Sequence, residues 1–265
     1  MPRMADRRTA VITGASSGIG EACARAFARE GLHVVLAARR EAELARVAAD
    51  IAAAGGAATA VPCDVTDAAQ VEALVAGAVA VTGRLDVVVA NAGLGYNGRL
   101  DETDLDTMRH LMEVNYFGTF HAARAAVRHF RTTGAGHLFI MSSIVGRKGV
   151  PRMGAYAATK FAQVGLGESV RAELAGTGVH VTLVYPISTE TGFRSAMARE
   201  WGQDVAGAGP RQSPDHVAAT MVRALRRPRA DIYPMRASRL VAAASALVPG
   251  LADWVSAKFT RTPKK

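Results

Sequence analysis

The sequence predicts a doubly wound α/β fold of Rossmann type, in which helices cover both faces of a parallel sheet. Two observations predict it. Short apolar, β-rich runs alternate with helical stretches along most of the chain, and few hairpin signals separate them. The run 85–90, rich in valine, has the character of a strand buried on both faces.

The elements follow in order. Residues 9–13 (Thr-Ala-Val-Ile-Thr) form a first strand that ends in the glycine cluster Gly14-Ala-Ser-Ser-Gly18-Ile-Gly20. A helix is predicted over 21–30, with Ala22, Ala26 and Phe27 on its apolar face, ending at Gly31. A second strand over 33–38 leads to a charged, Ala-rich helix over 41–54, which Gly55-Gly56 closes. Residues 58–62 make a third strand and 68–81 a helix ending at Gly83. After the fourth strand, 85–90, a helix covers 105–131, a strand 137–141, a helix 156–175 and a strand 179–185. Beyond Thr191 the pattern loosens: 202–209 is rich in Gly and Ala, and 214–225 is helical.

The 265 residues suit one domain, or one with an appendage, and the 49% hydrophobic content excludes disorder as the main state. The expected division is a dinucleotide-binding and catalytic part over 1–195. The remainder, 196–265, is a substrate-loop region with a C-terminal helical extension of the same domain. Two cysteines, Cys23 and Cys63, are too few for a disulfide scaffold or a structural zinc site, and no metal is expected. Cys23 reads as a small buried thiol. The N-terminus shows no apolar secretory segment. The uncharged stretch 240–252 has 13 residues and contains Pro249, well short of the about 20 that a membrane span needs. A soluble cytoplasmic protein is the expectation.

Charge is unevenly placed. The net of +9 divides into +8 over residues 223–265, which hold ten Lys or Arg against two acids, +2 over residues 1–8, and −1 over the rest. The C-terminal piece carries Leu240, Ala244, Leu247, Leu251, Trp254 and Val255, an expected apolar face broken into two helices at Pro249-Gly250. One reading is a lid or dimer-contact hairpin with a solvated basic side. The other is weak attachment to an anionic membrane surface, or capture of a lipid-like substrate. Nucleic acid is not an expected partner, because no recognised module and few aromatics accompany the charges.

The glycine cluster has a mechanism where it stands. Glycines let a backbone approach a pyrophosphate, and the helix that follows offers its free N–H groups and positive dipole end. The spacing is Gly14-x-x-x-Gly18-x-Gly20, different from the common GxGxxG. At the end of the second strand, a carboxylate would bind an adenosine ribose and repel a 2′-phosphate. Here stands Ala38, followed by Arg39 and Arg40, and a guanidinium is a good fork for phosphate. NADP(H) is therefore expected over NAD(H), with Arg39 the main candidate reader and Arg40 the second.

Tyr156 and Lys160, four apart on one helix, share a face. A phenol titrates near pH 10 and is a poor base at neutrality. A neighbouring cation stabilises the phenolate, which allows Tyr156 to exchange a proton with an alcohol or carbonyl oxygen.

Thr13-Gly-Ala-Ser-Ser-Gly-Ile-Gly20, Cys63-Asp64-Val65, Asn91-Ala92-Gly93, Asn115, Ser143 and Tyr156-x-x-x-Lys160 stand in the order and spacing of the short-chain dehydrogenase/reductase family, which the chain resembles over about residues 8–194. The resemblance implies a seven-stranded parallel sheet, a homodimer or homotetramer, and a catalytic set of Asn115, Ser143, Tyr156 and Lys160. It implies that Tyr156 is the general acid or base and that Ser143 orients the substrate oxygen, with Ser142 the structural alternative. Lys160 would lower the Tyr156 pKa and hold the nicotinamide ribose. Asn115 would bind a water linking Lys160 to solvent. By the same resemblance Gly14, Ser16, Ser17, Gly18, Ile19 and Gly20 cradle the coenzyme and Asp64 and Val65 meet the adenine. Asn91 steadies the sheet, Ala92 and Gly93 let the coenzyme close, and Pro186 and Thr191 cap the nicotinamide. Ile187 departs from the family's usual Gly and puts the geometry of that loop in question.

The function implied is interconversion of a small-molecule carbonyl and a secondary alcohol. The alternative is a non-catalytic NADP(H)-binding regulator or scaffold. Gly95, Tyr96, Val150 and Met153 indicate a mixed, partly apolar substrate pocket.

Overall fold

A computed structural model describes residues 8–189, 197–198, 200–202, 211–250 and 252–254. Seven parallel strands form one sheet in the order β3-β2-β1-β4-β5-β6-β7. They are β1 (Thr9–Thr13), β2 (His33–Ala38), β3 (Ala57–Pro62), β4 (Val87–Ala90), β5 (Ala135–Met141), β6 (Gly178–Val184) and the short β7 (Asp231–Ile232). The helices are α1 (Gly18–Arg29), α2 (Glu41–Ala53), α3 (Ala68–Thr82), α4 (Leu105–Met112), α5 (Gly118–Thr133), α6 (Gly154–Glu173), α7 (Pro214–Arg226) and α8 (Arg236–Leu247).

Strand residues alternate between two cores, as the two-residue period of a strand requires. Val11, Val35, Val88, Leu138, Ile140 and Leu183 face the side covered by α3, α5 and α6. Ile12, Val34, Leu36, Val89, Phe139 and Val184 face α1, α2 and α7. Cys23 on α1 meets Met221 on α7 there, sulfur to sulfur at 3.4 Å, and is fully buried, so burial pushes its thiol up to about 12. The doubly wound expectation holds.

Several predicted boundaries shift, three of them near the site or the sheet centre. The first helix starts at Gly18, three residues before the predicted 21, because the last two glycines of the cluster form its first turn. Strand β4 starts at Val87; just before it the Asp86 carboxylate accepts from the Thr9 amide at 2.8 Å and from Arg84. The single helix predicted over 105–131 is α4 and α5 joined by a π-helical turn, Glu113–Phe117, which holds Asn115.

The C-terminal apolar residues divide between two sides of α8. Helix α8 buries Ser238, Ala242 and Ser245 and turns Leu240 and Leu247 outward, at 73% and 82% exposure. Small residues let α8 lie close on the body, so the bulky leucines fall on the other side. Leu251 and Val255 lie outside the described residues.

The chain winds outward from β1 to β3, then crosses back to β4 on the other side of β1. The loops leaving β1 and β4 therefore diverge and open a crevice at the carboxyl ends of the strands, where open α/β sheets bind their ligands.

Candidate active site

The loop after β1 is shaped for close backbone approach. Gly14 has φ of 65°, a left-handed value natural to glycine. A Cβ on Gly20 would stand 2.2 Å from the Gly14 carbonyl oxygen, so no side chain fits there. Thr13 ties this loop to the one after β4: its hydroxyl accepts from the Asn91 and Ala92 amides at 3.0 and 3.1 Å. The Asn91 side-chain amide donates to Thr13 O at 2.9 Å and Gly14 O at 3.3 Å. Asn91 thus steadies the two loops against each other.

The N-terminus of α1 is open. Its N-cap, Ser17, makes no side-chain capping bond, whereas Asp67 and Asp104 cap α3 and α4. Free N–H groups and a positive helix end fit a phosphate. Arg40 donates through Nη2 to the hydroxyls of Ser16 and Ser17, 2.9 Å to each, and so braces the loop. Arg39 is exposed and has no ion-pair partner among the described residues. The sequence ranked Arg39 first; the structure adds Arg40 as the residue that touches the glycine loop. Gly93 continues the cradle, since a Cβ there would lie 3.1 Å from Asn115 Oδ1 and 3.7 Å from Lys160 Nζ. These groups fit a dinucleotide.

Asp64 and Val65 end the loop after β3. Asp64 Oδ1 accepts from the Thr66 amide and hydroxyl at 3.0 and 2.9 Å, and Val65 is buried against the Gly118 turn. Pro186 O accepts from the Ile144 amide at 3.0 Å and from the Ser143 hydroxyl at 3.4 Å. Ile187 takes its place without a left-handed backbone: among the described residues Arg152 is the one non-glycine with positive φ. Thr191 lies outside the described residues.

Helix α6 buries Tyr156, Thr159, Lys160, Gln163, Val164 and Gly167 along one face. Ser142 and Ser143 end β5 beside it and divide the work. Ser142 is buried and donates to Lys160 O at 3.0 Å, a structural tie. Ser143 is half-buried and hydrogen-bonds the Tyr156 hydroxyl. Burial holds the Tyr156 phenol well above its ordinary range, and the Ser143 bond pulls it down. Burial also lowers the Lys160 ammonium, to about 7.

Lys160 lies beside Tyr156 and is held from the other side. Its Nζ donates to Met141 O at 2.9 Å and to Gln163 Oε1 at 3.0 Å, and lies 5.6 Å from the Tyr156 ring centroid. Ser143 is a hydrogen-bond partner of the phenol. The Asn115 side chain makes three hydrogen bonds of its own. Its Oδ1 accepts from the Leu94 amide at 2.7 Å, and its Nδ2 donates to Leu94 O and Thr159 Oγ1 at 2.9 and 3.0 Å. The side chain clamps the loop after β4 to α6. The link from Asn115 to Lys160 runs through its backbone carbonyl and the Gln163 amide. Gln163 escaped the sequence reading; the signal was a glutamine on the buried face of α6, three residues past Lys160.

An apolar cluster flanks the two hydroxyls. Tyr96, Leu111, Val145 and Tyr156 are buried in it, with Leu94, Val150, Met153 and Trp201 packed against them. Trp201 meets Tyr96 edge-on at 5.5 Å and donates to Gly95 O at 2.9 Å. Among the described residues no group of three His, Cys, Asp or Glu side chains could hold a metal.

The family model for short chain dehydrogenase matches residues 8–201. This chain belongs to the short-chain dehydrogenase/reductase family. A curated relative, glycine betaine reductase ATRR of Emericella nidulans, is 37% identical over 226 residues; the match takes 83% of this chain but only 18% of that protein. Among solved structures, a short-chain dehydrogenase/reductase from Burkholderia phymatum in complex with NAD superposes with a TM-score of 0.84 at 28% identity, covering 100% of this chain and 99% of that one. An alcohol dehydrogenase from the archaeon Thermococcus sibiricus, complexed with 5-hydroxy-NADP, gives 0.77 at 30% identity, covering 86% and 96%. This short-chain dehydrogenase/reductase is an oxidoreductase whose structural neighbours carry nicotinamide coenzymes.

Proposed function

We propose that the enzyme interconverts a carbonyl compound and the corresponding secondary alcohol, with NADP(H) preferred over NAD(H) and Tyr156 as general acid or base. The observation that carries this reading is the hydrogen-bonded Ser143–Tyr156 pair beside an apolar cluster, next to a glycine cradle that fits a dinucleotide.

The loop 14–20 and the α1 N-terminus would hold the pyrophosphate, with Asp64 and Val65 at the adenine. Asn91, Ala92 and Gly93 line the middle, and Pro186 and Thr191 the nicotinamide end. When bound, the coenzyme supplies or accepts the hydride. Ser143 orients the substrate oxygen, and Tyr156 gives it a proton in reduction or takes one in oxidation. Lys160 contributes positive charge near the phenol when protonated, and a donor toward the ribose. Tyr96, Val150, Met153 and Trp201 favour a substrate with an apolar body. Partly exposed Phe117, Phe120 and Phe161 on the α5 and α6 side support a homo-oligomer.

The test is Tyr156→Phe. It should reduce kcat by about 10²–10⁴ in a ketone panel followed by NADPH consumption, while coenzyme affinity by fluorescence titration stays within a few-fold. Undiminished turnover would reject the chemistry; absence of turnover in the wild type across a broad panel, with tight coenzyme binding, would favour the scaffold alternative.

A further inference from the structure

Gln163 is fully buried on α6, and both ends of its amide are engaged. Its Nε2 donates to Asn115 O and to Thr119 Oγ1, 2.7 Å to each. Its Oε1 accepts from Lys160 Nζ at 3.0 Å. The orientation of the amide follows from its partners: a backbone carbonyl accepts only, so the nitrogen must face Asn115 and the oxygen must face Lys160. The Thr119 hydroxyl donates to the same carbonyl at 2.7 Å, which leaves it as acceptor for Gln163.

We propose that Gln163 is a positioning residue of the active site: its amide is a rigid strut between the π-helical turn at Asn115 and the amine of Lys160, and it fixes where that amine sits and how readily it carries a proton. This rests on the proposed pairing of Lys160 with Tyr156. An ammonium has three N–H groups. Met141 O and Gln163 Oε1 take two of them, so one remains for the Tyr156 and Gly93 side of the crevice. Both acceptors are neutral, and no carboxylate is among the partners of the amine. The charged form of Lys160 in this buried place therefore depends on dipoles, and Gln163 supplies one of the two. An aliphatic side chain at 163 would leave Asn115 O with the Thr119 hydroxyl as its side-chain donor and the amine with half its acceptors.

The sequence offers a direct readout. The chain has five lysines, Lys148, Lys160, Lys258, Lys264 and Lys265, so NMR of protein labelled with 13C at lysine Cε follows Lys160 individually, without turnover. Lys160→Arg assigns its signal. In Gln163→Met the Lys160 midpoint should fall by about one pH unit or more, because the charged form loses a hydrogen bond. In Gln163→Glu, a carboxylate in place of the amide oxygen should raise it by at least as much. Midpoints unchanged in both variants, with thermal melting showing them folded, would overturn the proposal. Should Gln163→Met fail to fold, Gln163→Glu alone decides by the sign of its shift. Failure of the parent reading shows elsewhere, as turnover retained in Tyr156→Phe, so the two are separable.

Discussion

At the scale of single residues, the proposed coenzyme preference rests on two adjacent guanidinium groups in different situations. Arg40 is tied to Ser16, Ser17 and Glu43, whereas Arg39 is exposed beside them without an ion-pair partner among the described residues. A free guanidinium at the end of β2 is the better candidate for a 2′-phosphate, and a charge-assisted pair of this kind contributes about 1.5–3 kcal/mol. Arg39→Ala should therefore raise the NADPH dissociation constant by roughly tenfold or more and leave that of NADH within about twofold. Arg40→Ala should weaken both coenzymes alike, because it loosens the glycine loop. Equal losses for the two coenzymes in Arg39→Ala would remove the basis for an NADP(H) preference. Tyr156, Ser143 and the two arginines could be picked out as candidates in the sequence, because each belongs to a motif or a strand end. The partners of Lys160 could not. Gln163 and Asn115 are 48 residues apart, and no spacing rule says that their amide and carbonyl meet.

At the scale of elements, the first βα turn and the interrupted helix position the chemistry. The carbonyl of Gly14 lies where a side chain on Gly20 would begin, so the first turn of α1 and the end of β1 are closely packed. Gly20→Ala should displace the loop, raise the dissociation constant of either coenzyme by more than about tenfold, and lower the Tm. A variant that binds and melts like the wild type would show that the loop relaxes freely. The strands, and their alternation with helices, were readable from composition and period alone, since parallel buried strands demand apolar runs. The π-helical turn at Glu113–Phe117 was hidden, because a π turn and an α turn share the same helix-compatible residues. What distinguishes them is tertiary: Asn115 is held by Leu94 and Thr159 from two other segments.

For the whole molecule, the switch between β1 and β4 puts the proposed chemistry at the carboxyl ends of the central strands. No helix among the described residues is long and apolar enough to cross a membrane. Helix α8 nevertheless presents Leu240, Val241 and Leu247 outward, with Val248 and Trp254 beyond, in a segment of net charge +8. Apolar side chains beside clustered positive charge complement an anionic lipid surface. The protein should therefore cosediment with phosphatidylglycerol vesicles and not with phosphatidylcholine ones, less so at high salt. The double variant Leu240→Ser, Leu247→Ser should lose this while keeping its activity; equal binding by the variant would point to charge alone. The sequence located the leucines on one side of the helix but left open what that side meets, because periodicity tells which residues share a face and not which neighbour the face meets. The chain has two tryptophans, and they report on opposite surroundings: Trp254 is 62% exposed, whereas Trp201 packs on Tyr96 in the same cluster as Tyr156. Ultraviolet emission from Trp201 is thus an intrinsic gauge of ligand binding beside that cluster, shifting as a ligand displaces solvent from the indole, and it makes compound screening feasible without a turnover assay.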